Sequence, residues 1–475
     1  ILHIIRKIEE LGFEVVRLVS DNHKVNVSAM NILCNGAGSY CIPYPVDTQR
    51  KLFLAFDQSH IIKNVRSQFL ARELGGNKEI SSSHIKKLYK MQAGSTVKPV
   101  RFLRRKHIYP TNIEKMNVRS AVQIFSPPVT AALSFMKDQA GHTCDVGFAS
   151  VEPTVEFMKT MHRWFLLMNV SNCKQQIHLN HPNTKQFSSP CDERLDWLEI
   201  AFIEYLLELK KNSLPQNFLT KETYHALVLT THSNVECIRY LLREREFGFV
   251  LTRKFSGDAL EALFGFLRRT AGCNDALNMR ATLNGLEKML KTGLIASSNQ
   301  SNVASSSSYQ TGTLPGQPGP GAASIAMVGG FIARAISEKI NCDSCIALVL
   351  KPKSSAPVDG LIANQDRGGL CYPTSELITA LTALKSFVDT ALQHRKNIVK
   401  PLQTSVERAV QVMMDLPILM CRSGDRQHRQ LFLELLCMKF VKPRLTNYAA
   451  DMTDKNTVAK LYRTKPLSRK FMKLT

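Results

Sequence analysis

The sequence changes character twice along its length, and these two changes constrain the fold more than any single motif does. Residues 13–57 contain apolar runs rich in Val, Ile and Phe that predict β-strands, whereas residues 81–245 carry helical periodicity with polar joints. A short strand is predicted at 247–252, directly before another helix. A helical block bracketed by β/α elements is most economically an insertion. We therefore expect an α/β domain in two parts, 1–80 and 246–293, separated by the block 81–245.

Both strands predicted in the first part end at an aspartate. The run F-E-V-V-R-L-V-S-D-N reaches Asp21, and K-L-F-L-A-F-D ends at Asp57. In open α/β sheets, ligands and catalytic groups gather at the carboxyl ends of the strands. Asp21 could instead cap the helix that follows it. Asp57 and His60 form a D-x-x-H pair that could be catalytic, metal-binding or structural, and we favour a buried hydrogen-bonded pair that orders the strand end.

A third acid lies on the helix predicted after the 247–252 strand. In R-K-F-S-G-D-A-L-E-A-L-F-G-F-L-R-R-T, residues 253–270, Glu261 falls on the first helical turn. Apolar residues at helical spacing predict a buried face that would fix the direction of this acid; they are Leu260, Leu263, Phe264 and Leu267. Converging carboxylates could hold the metal ions of a phosphoryl-transfer site. Asp258 and Glu261 also have the spacing of a capping box, and the two interpretations are compatible.

Composition indicates a polyanionic partner. The chain has 62 Lys and Arg against 39 Asp and Glu, a formal charge of +23, and nucleic acid is the first candidate for such an excess. The basic run at 98–107, near Phe102 and Tyr109, could contact phosphates, although a solvated charge run is the ordinary alternative. No stretch approaches 18 uninterrupted apolar residues, so we expect no membrane partner. Twelve scattered cysteines suit a reducing compartment.

The C-terminal part is predicted to contain a linker, a helical region and a tail. Residues 294–323 are rich in Ser, Gly and Pro and predict a flexible linker, unless they are a translated intron. Helical patterns occupy much of 324–441, and helices are predicted from about 374 to 441. Residues 442–475 form a basic tail, and we expect its last 24 residues to be disordered and able to touch DNA.

One C-x-x-C pair, Cys342 and Cys345, lies in this C-terminal region. Such a pair is a weak sign of zinc when no second ligand pair follows at a suitable spacing. Cys371 is available as a further ligand, and a distant His is another candidate. The sequence leaves zinc binding open.

Four longer motifs occur in a characteristic order. They are the strand ending in S-D-N at Asp21, F-D-Q-S-H-I-I-K-N-V-R at 56–66, K-M-N-V-R-S-A-V-Q-I-F-S at 115–126, and S-G-D-A-L-E-A-L-F-G-F-L-R at 256–268. Together they resemble the P element transposase family, which includes the THAP-domain transposase-like proteins of animals. The later G-G-F-I-A-R-A-I, C-x-x-C and G-G-L-x-Y-P-T pattern fits the same family more loosely.

The resemblance implies an α/β RNase H-like catalytic domain, interrupted by a mostly α-helical GTP-binding insertion domain and followed by a mostly helical C-terminal region. Members cut and rejoin DNA with metal ions held by three acids. By position, Asp21 matches the second acid and Glu261 the third, which makes both ligands of a two-Mg²⁺ site. Asp57 and His60 match the family's D-x-x-H signature and complete the implied catalytic set. The first acid and the THAP domain lie on segments absent from this sequence, so we expect the natural N-terminus upstream.

The resemblance also implies GTP as a cofactor. Its contacts would involve Lys106, Lys115, Asn169 and Asp258. Relatives often carry F-D-x-x-N in the insertion, whereas the corresponding stretch here, residues 165–169, has Leu166 in place of Asp. This departure weakens the prediction of guanine selectivity. There is no G-x-x-x-x-G-K-[ST] loop, so a nucleotide would not be held by a P-loop.

These observations predict a nuclear DNA transposase, or the larger part of one. Its expected partners are transposon-end and target DNA, and further copies of itself in a homo-oligomer. The alternative is a domesticated or decayed relative that binds DNA or protein without catalysis. An unrelated nuclease would fit the acids but not the insertion motifs or the C-terminal pattern.

Overall fold

The computed structural model describes residues 1–36, 38–93, 95–143, 146–270, 278–292, 320–353, 356–366, 368–393, 401–421 and 426–463. The chain divides into two compact units. The first unit comprises Ile1–Ser82, Pro110–Ser126 and Val151–Tyr309. The second unit comprises Ser83–Tyr109, Pro127–Ser150 and Gln310–Thr475. The block predicted as one insertion contributes residues to both units.

Most described elements are helices. In chain order up to residue 126 they are α1 Leu2–Glu10, β1 Arg17–Ser20, α2 Lys24–Leu33, β2 Cys41–Pro43, β3 Lys51–Phe56, α3 Gln58–Ala71, α4 Ser83–Met91, α5 Arg105–Ile108, α6 Asn112–Lys115 and α7 Val118–Phe125. From residue 127 to 292 they are α8 Pro127–Thr143, α9 Glu152–Met168, α10 Gln175–Leu179, α11 Glu193–Asp196, α12 Phe202–Asn212, α13 Lys221–Arg243, α14 Asp258–Thr270 and α15 Met279–Thr292. From residue 320 they are α16 Pro320–Ser337, α17 Asp343–Val349, β4 Leu350–Lys351, α18 Gly360–Ala363, β5 Tyr372–Pro373, α19 Ser375–Gln393, α20 Pro401–Asp415 and α21 Arg426–Arg463.

A three-stranded sheet organises the first unit. β3 is central; it pairs parallel with β1 and antiparallel with β2. Residues 52–56 of β3 are fully or almost fully buried, and α13 packs against this strand. The strand predicted at 51–57 is therefore confirmed. The strand predicted to reach Asp21 is confirmed only in its last part, because strand pairing is limited to Arg17–Ser20.

Helix α3 follows β3 directly, where the spacing of apolar residues in 59–73 predicts a helix with Ile61, Val65 and Phe69 on one face and its basic residues elsewhere. Ile61, Val65 and Phe69 are buried as expected. Lys63 and Arg66, which the helical pattern placed off that face, are also buried, with 6% and 0% of their surface exposed. Packing by α7, α9 and α13 around α3 explains this burial, which the pattern of one helix could not reveal.

Two predictions near Glu261 are wrong. The expected strand at 247–252 is absent: Val250 forms one isolated bridge with Phe187, and a 3₁₀ turn begins at Thr252. Phe247 and Phe249 are about half exposed, so the apolar run has no sheet to join. The apolar face predicted on α14 is also mostly not buried.

The apolar residues of α14 differ in burial. Leu267 is 1% exposed, but Leu260 and Phe264 are 55% and 45% exposed. Helix α15 packs on α14, and Gly285 of α15 lies against Leu267. Helix α14 is therefore held by Leu267 and by its packing against α15, and not by a continuous buried apolar stripe.

The second unit contains α16, a helix that packs against α17, α18, α19 and α21 and against the short β4–β5 pair. A side chain at Gly330 of α16 would lie 2.3 Å from the carbonyl oxygen of Cys371, so glycine allows this close approach. The helices predicted between about 374 and 441 are confirmed by α19, α20 and α21. Most of the predicted linker lies outside the described residues, and α16 includes its last four positions.

The expected disorder of the last 24 residues is wrong for 452–463, because α21 continues to Arg463. No Gly or Pro interrupts the chain between Pro443 and Arg463, and Ala, Lys and Leu favour helix there. Residues 464–475 lie outside the described part. Among the described helices, none combines the length and the apolar character needed to cross a membrane.

Candidate functional site

The two strand-end aspartates lie next to each other at one edge of the sheet. Ser20 is opposite Phe56 in the parallel β1–β3 pair, and the Asp57 N–H donates to the Ser20 carbonyl over 2.8 Å. Asp21 and Asp57 each follow directly in sequence. The sheet therefore presents two carboxylates from neighbouring strands at its carboxyl edge, as the sequence predicted.

Asp21 is exposed and is held by its own turn. Its Oδ1 accepts hydrogen bonds from Asn26 Nδ2 over 2.5 Å and from the His23 N–H over 3.3 Å. The N-cap of α2 is His23, whose Nδ1 accepts from the Val25 N–H. The interpretation of Asp21 as the helix cap is therefore wrong, and its carboxylate faces solvent at the sheet edge.

Asp57 is 4% exposed and caps α3. Its Oδ1 accepts from the Ser59 N–H over 2.6 Å and from the His60 N–H over 3.3 Å. Its Oδ2 accepts from the Gly257 N–H over 2.5 Å. Because both carboxylate oxygens are bonded to backbone donors, Asp57 joins the end of β3 to the segment that leads into α14.

His60 reaches the same segment one helical turn further on. Its Nε2 lies 3.2 Å from Oε1 of Glu261, and 28% and 37% of the two side chains are exposed. The hydrogen bond from His60 lowers the pKa of Glu261, although burial opposes it, and Lys63 lowers this pKa further. Glu261 is therefore ionised at neutral pH, the form in which a carboxylate binds a metal ion.

Asp57 and His60 together form a two-point clamp on the start of α14. Asp57 contacts Gly257, and His60 contacts Glu261 four residues later. A Cβ at Gly257 would lie 2.8 Å from Asp57 Oδ2, which is closer than a Cβ normally approaches any atom. Glycine at this position is therefore required by the clamp, a requirement that the sequence analysis did not identify.

Asp258 does not form the predicted capping box. α14 begins at Asp258, so this residue lies inside the first turn, and its N–H donates to Ser256 Oγ over 3.3 Å. Its carboxylate pairs with Arg253 Nε at 2.9 Å. Burial raises the pKa of Asp258, although Arg253 opposes this shift.

Lys63 is a buried cation near these acids that was not predicted as a site residue. Glu261, Asp57 and Asp258 all act on Lys63 electrostatically and favour its charged form, whereas burial lowers its pKa. A protonated Lys63 compensates part of the negative charge that these acids bring together. Its position in α3, three residues after His60, is the only sequence signal that could have identified it.

The four predicted nucleotide contacts are distributed over both units. Lys106 lies on α5 in the second unit, while Lys115, Asn169 and Asp258 belong to the first. The carbonyl of Lys115, the last residue of α6, accepts from Arg66 Nη2 over 2.7 Å. The Nε and Nη1 atoms of Arg66 are buried without a hydrogen-bond partner. These two unpaired donor atoms of Arg66 are suited to binding an anionic group.

The described residues at the sheet edge supply only part of a metal-ligand set. Among the described residues, Asp21 and Glu261 belong to no group of three or more Asp, Glu, His or Cys ligand atoms lying within 4.8 Å of one another. Both supply the oxygen atoms that Mg²⁺ prefers. Each lies close in sequence to a residue bonded to Asp57, since Asp21 follows Ser20 and Glu261 comes four residues after Gly257. The fit to a metal therefore rests on two acids at one edge.

Comparisons with known proteins match two regions of the chain to family models. Residues 59–182 match the family model described as TNP-like, GTP-binding insertion domain, and residues 313–450 match DNA transposase THAP9, C-terminal domain. The chain is similar to the Transposable element P transposase of Drosophila melanogaster, with 22% identity over 271 residues. That match covers 57% of this chain and 34% of the relative, so the chain corresponds to about a third of the relative's length.

The fold is also similar to a solved structure. The Drosophila P element transposase strand transfer complex superimposes with a TM-score of 0.51 at 20% sequence identity. The match covers 61% of this chain and 63% of that one. At this identity the similarity concerns the fold.

Proposed function

Because this chain belongs to the P element/THAP-type transposase family, we propose that it acts in DNA transposition through an RNase H-like centre at its sheet edge. The observation that carries the proposal is the clamp in which Asp57 and His60 hold Gly257 and Glu261. It brings residues about 200 positions apart in sequence to the carboxyl edge of a sheet with a parallel strand pair. Three of the four motifs that carry the family resemblance, those at Asp21, 56–66 and 256–268, meet there.

Asp21 and Glu261 are the residues that would hold divalent metal at this edge. Bound Mg²⁺ would stabilise the attacking and leaving oxygens of a phosphodiester displacement. Glu261 is suited to this task because its carboxylate is ionised and oriented by His60. Asp57 acts differently: its oxygens are bonded to backbone N–H groups, so we assign it the role of a positioning residue.

DNA, further copies of the chain and a nuclear location complete the proposal. The +23 charge supports a polyanionic partner, since cationic side chains release counterions when they bind phosphates. The structural relative is a strand transfer complex, which supports DNA as that partner. Nuclear location and homo-oligomerisation follow from the family resemblance.

Cleavage of the DNA ends that flank the protein's own gene tests the proposal. We expect Mg²⁺-dependent strand cleavage that Glu261→Gln abolishes, with about a 10³-fold or greater loss, because a metal ligand is removed without a change of volume. Glu208→Gln, at an exposed position on α12, is the matched control and keeps full activity. The assay uses the complete reading frame that contains this chain.

The outcomes separate the two candidate functions. Full cleavage by Glu261→Gln would contradict the metal-ligand role. Salt-sensitive binding of the same DNA without cleavage by the unaltered protein would instead support the alternative of a non-catalytic DNA-binding relative. That alternative is supported by the geometry at the sheet edge, because among the described residues Asp21 and Glu261 belong to no group of three or more close ligand atoms.

A second component of the proposal is a nucleotide cofactor, GTP, in the region that matches the insertion-domain model. Its support from the structure is Arg66, whose Nη2 donates to the carbonyl of Lys115 and whose Nε and Nη1 are buried without a hydrogen-bond partner. Lys106 does not lie in the same unit as these residues, and Leu166 supplies no acceptor for guanine. We therefore propose anion recognition with little preference for guanine.

Calorimetric titration with GTP and with ATP tests this component. The unaltered chain is expected to bind the two nucleotides within about 3-fold of each other, because Leu166 cannot accept hydrogen bonds from guanine. Leu166→Asp restores an acceptor at a half-buried position and should raise the preference for GTP about tenfold. A strong GTP preference in the unaltered chain would contradict the proposal.

A further inference from the structure

A cluster of three cysteines and one histidine lies in the second unit. Cys342, Cys345, Cys421 and His428 place one ligand atom each within 4.8 Å of all the others. The Sγ atoms of Cys342 and Cys421 are 3.6 Å apart, and Sγ of Cys345 lies 3.1 Å from Nε2 of His428. We propose that this cysteine–histidine cluster binds a structural zinc ion.

The distances fit a tetrahedral zinc site. With Zn–S bonds of about 2.3 Å and Zn–N bonds of about 2.0 Å, a tetrahedron requires S–S edges of about 3.8 Å and S–N edges of about 3.5 Å. The two measured contacts fall within about 0.4 Å of these values. Three thiols and one imidazole form a closed set of soft ligands that selects zinc over Mg²⁺. This argument is independent of the sheet-edge acids.

The cluster joins two segments that are far apart in sequence. Cys342 and Cys345 lie at the start of α17, and Cys345 is completely buried. Cys421 follows α20, and His428 lies on the first turn of α21. Residues 79 and 83 positions apart are thereby brought into contact. Zinc would fasten the start of α17 to the start of α21.

Two polar side chains position Cys421. Arg429 of α21 donates to the carbonyls of Met413, Met414, Leu416 and Ile418, which lie at the end of α20 and just beyond it. Glu376 of α19 accepts from the Leu419 N–H over 2.6 Å. These bonds fix the backbone two residues before Cys421, so the ligand set is ordered by the protein rather than by chance proximity of sulfur atoms.

A disulfide is the competing interpretation of Cys342 and Cys421. Their Sγ atoms are 3.6 Å apart, far beyond the bonded distance of about 2.05 Å, and neither cysteine forms a disulfide. A disulfide would also leave Cys345 against His428 without a role. Cys371, the further ligand considered from the sequence, is not among the clustered residues.

Metal analysis of the untagged chain, purified under reducing conditions without chelator, tests the proposal. We expect about one zinc per chain, and cobalt substitution should give the visible absorption of tetrahedral thiolate coordination. Cys345→Ser should lose the zinc, and Cys371→Ser is the matched control that keeps it. Since Cys345→Ser could fail to fold, His428→Cys provides a variant that conserves four ligands and should retain about one zinc.

Alkylation of the unaltered chain gives a readout that needs no variant. Cys342, Cys345 and Cys421 should be protected from a thiol reagent and become reactive together when a chelator is added. The absence of stoichiometric zinc, both as purified and after addition of Zn²⁺ under reducing conditions, would overturn the proposal. An equal loss of zinc in Cys371→Ser, or a Cys342–Cys421 disulfide found by mass spectrometry under those conditions, would do the same.

Discussion

The sheet-edge site of the first unit and the cysteine–histidine cluster of the second unit each bring distant segments together, but by different means. At the sheet edge, backbone N–H groups satisfy Asp57 and a histidine orients Glu261, so the arrangement is held by hydrogen bonds within the protein. In the cluster, three thiols and an imidazole face one another. The first site should therefore persist without metal, and the second should depend on it.

The largest expected effect follows from removing metal. A chelator should raise amide hydrogen exchange in α17 and in the first half of α21 by about 1,000-fold or more, since bound zinc stabilises only the folded state. Both tryptophans, Trp164 and Trp197, belong to the first unit, so tryptophan fluorescence should not change. If the chelator changed tryptophan fluorescence as well as the exchange protection, both units would depend on metal, and the proposed difference between the two sites would be wrong.

The clamp at the sheet edge is tested by adding one methyl group. Gly257→Ala places a Cβ 2.8 Å from Asp57 Oδ2 and should lower the free energy of unfolding of the first unit by about 1–3 kcal/mol. Gly265→Ala, on α14, where a Cβ would meet nothing within 4 Å apart from the helix's own backbone, should raise that free energy by up to about 1 kcal/mol. Urea unfolding followed by tryptophan fluorescence measures both, and equal effects would contradict the clamp.

Substitution of Glu9 tests whether hydrogen bonds that do not involve the proposed metal ligands also stabilise the first unit. It accepts from Tyr44 and Arg50, and these bonds lower its pKa from 4.5 to about 2. Because the folded pKa is depressed, the stabilisation is complete above about pH 4.5 and is lost as the pH falls toward 2. Glu9→Gln should cost roughly 1–2 kcal/mol at pH 7 and much less near pH 2.

The neighbouring acid provides the control for Glu9. Glu10 pairs with Lys7 on the surface, where 59% of each side chain is exposed. Glu10→Gln should therefore change the free energy of unfolding by well under about 1 kcal/mol at either pH. If the two substitutions have the same effect on urea unfolding at pH 7, the assigned role of Glu9 is wrong.

The smallest expected effect concerns His60. His60→Ala removes the hydrogen bond that most lowers the pKa of Glu261, so this pKa rises under the remaining effect of burial. The stabilisation from ionised Glu261 is present above about pH 4.5 and is lost as the pH falls through its lower folded pKa. At pH 7 the loss should be roughly 0.5 kcal/mol or less because the pair is partly exposed.

His178→Ala, at an exposed position on α10, is the control for His60. Urea unfolding at pH 7 should show a larger loss of stability in His60→Ala than in His178→Ala. Equal effects of the two substitutions would contradict the stabilising contact between His60 and Glu261.

Short, local patterns made much of the sheet edge predictable. The apolar run before Asp57 and the helical spacing after it predicted β3 and α3 correctly, and neighbouring parallel strand ends predicted that Asp21 and Asp57 meet. The bond between His60 and Glu261 was not predicted, because it depends on where α14 docks. That docking also decides that Leu260 and Phe264 stay exposed.

The cysteine–histidine cluster was predictable only by half. Cys342 and Cys345 are recognisable as C-x-x-C, but Cys421 and His428 are separated by six residues rather than by a usual zinc-ligand spacing. They reach the first pair only through the packing of α16, α19, α20 and α21. Sequence spacing carries no information about such a contact until the helices are assembled.

Binding of divalent metal is the most direct test of a metal-dependent centre at the sheet edge. Manganese, which takes oxygen ligands as Mg²⁺ does, can be titrated calorimetrically into the zinc-loaded chain, with Glu261→Gln, Asp21→Asn and the exposed control Glu208→Gln compared in parallel. We predict that the first two substitutions each weaken manganese binding at least about tenfold and that the control leaves it unchanged. Unchanged manganese affinity in both Glu261→Gln and Asp21→Asn would contradict a metal-dependent centre at this edge.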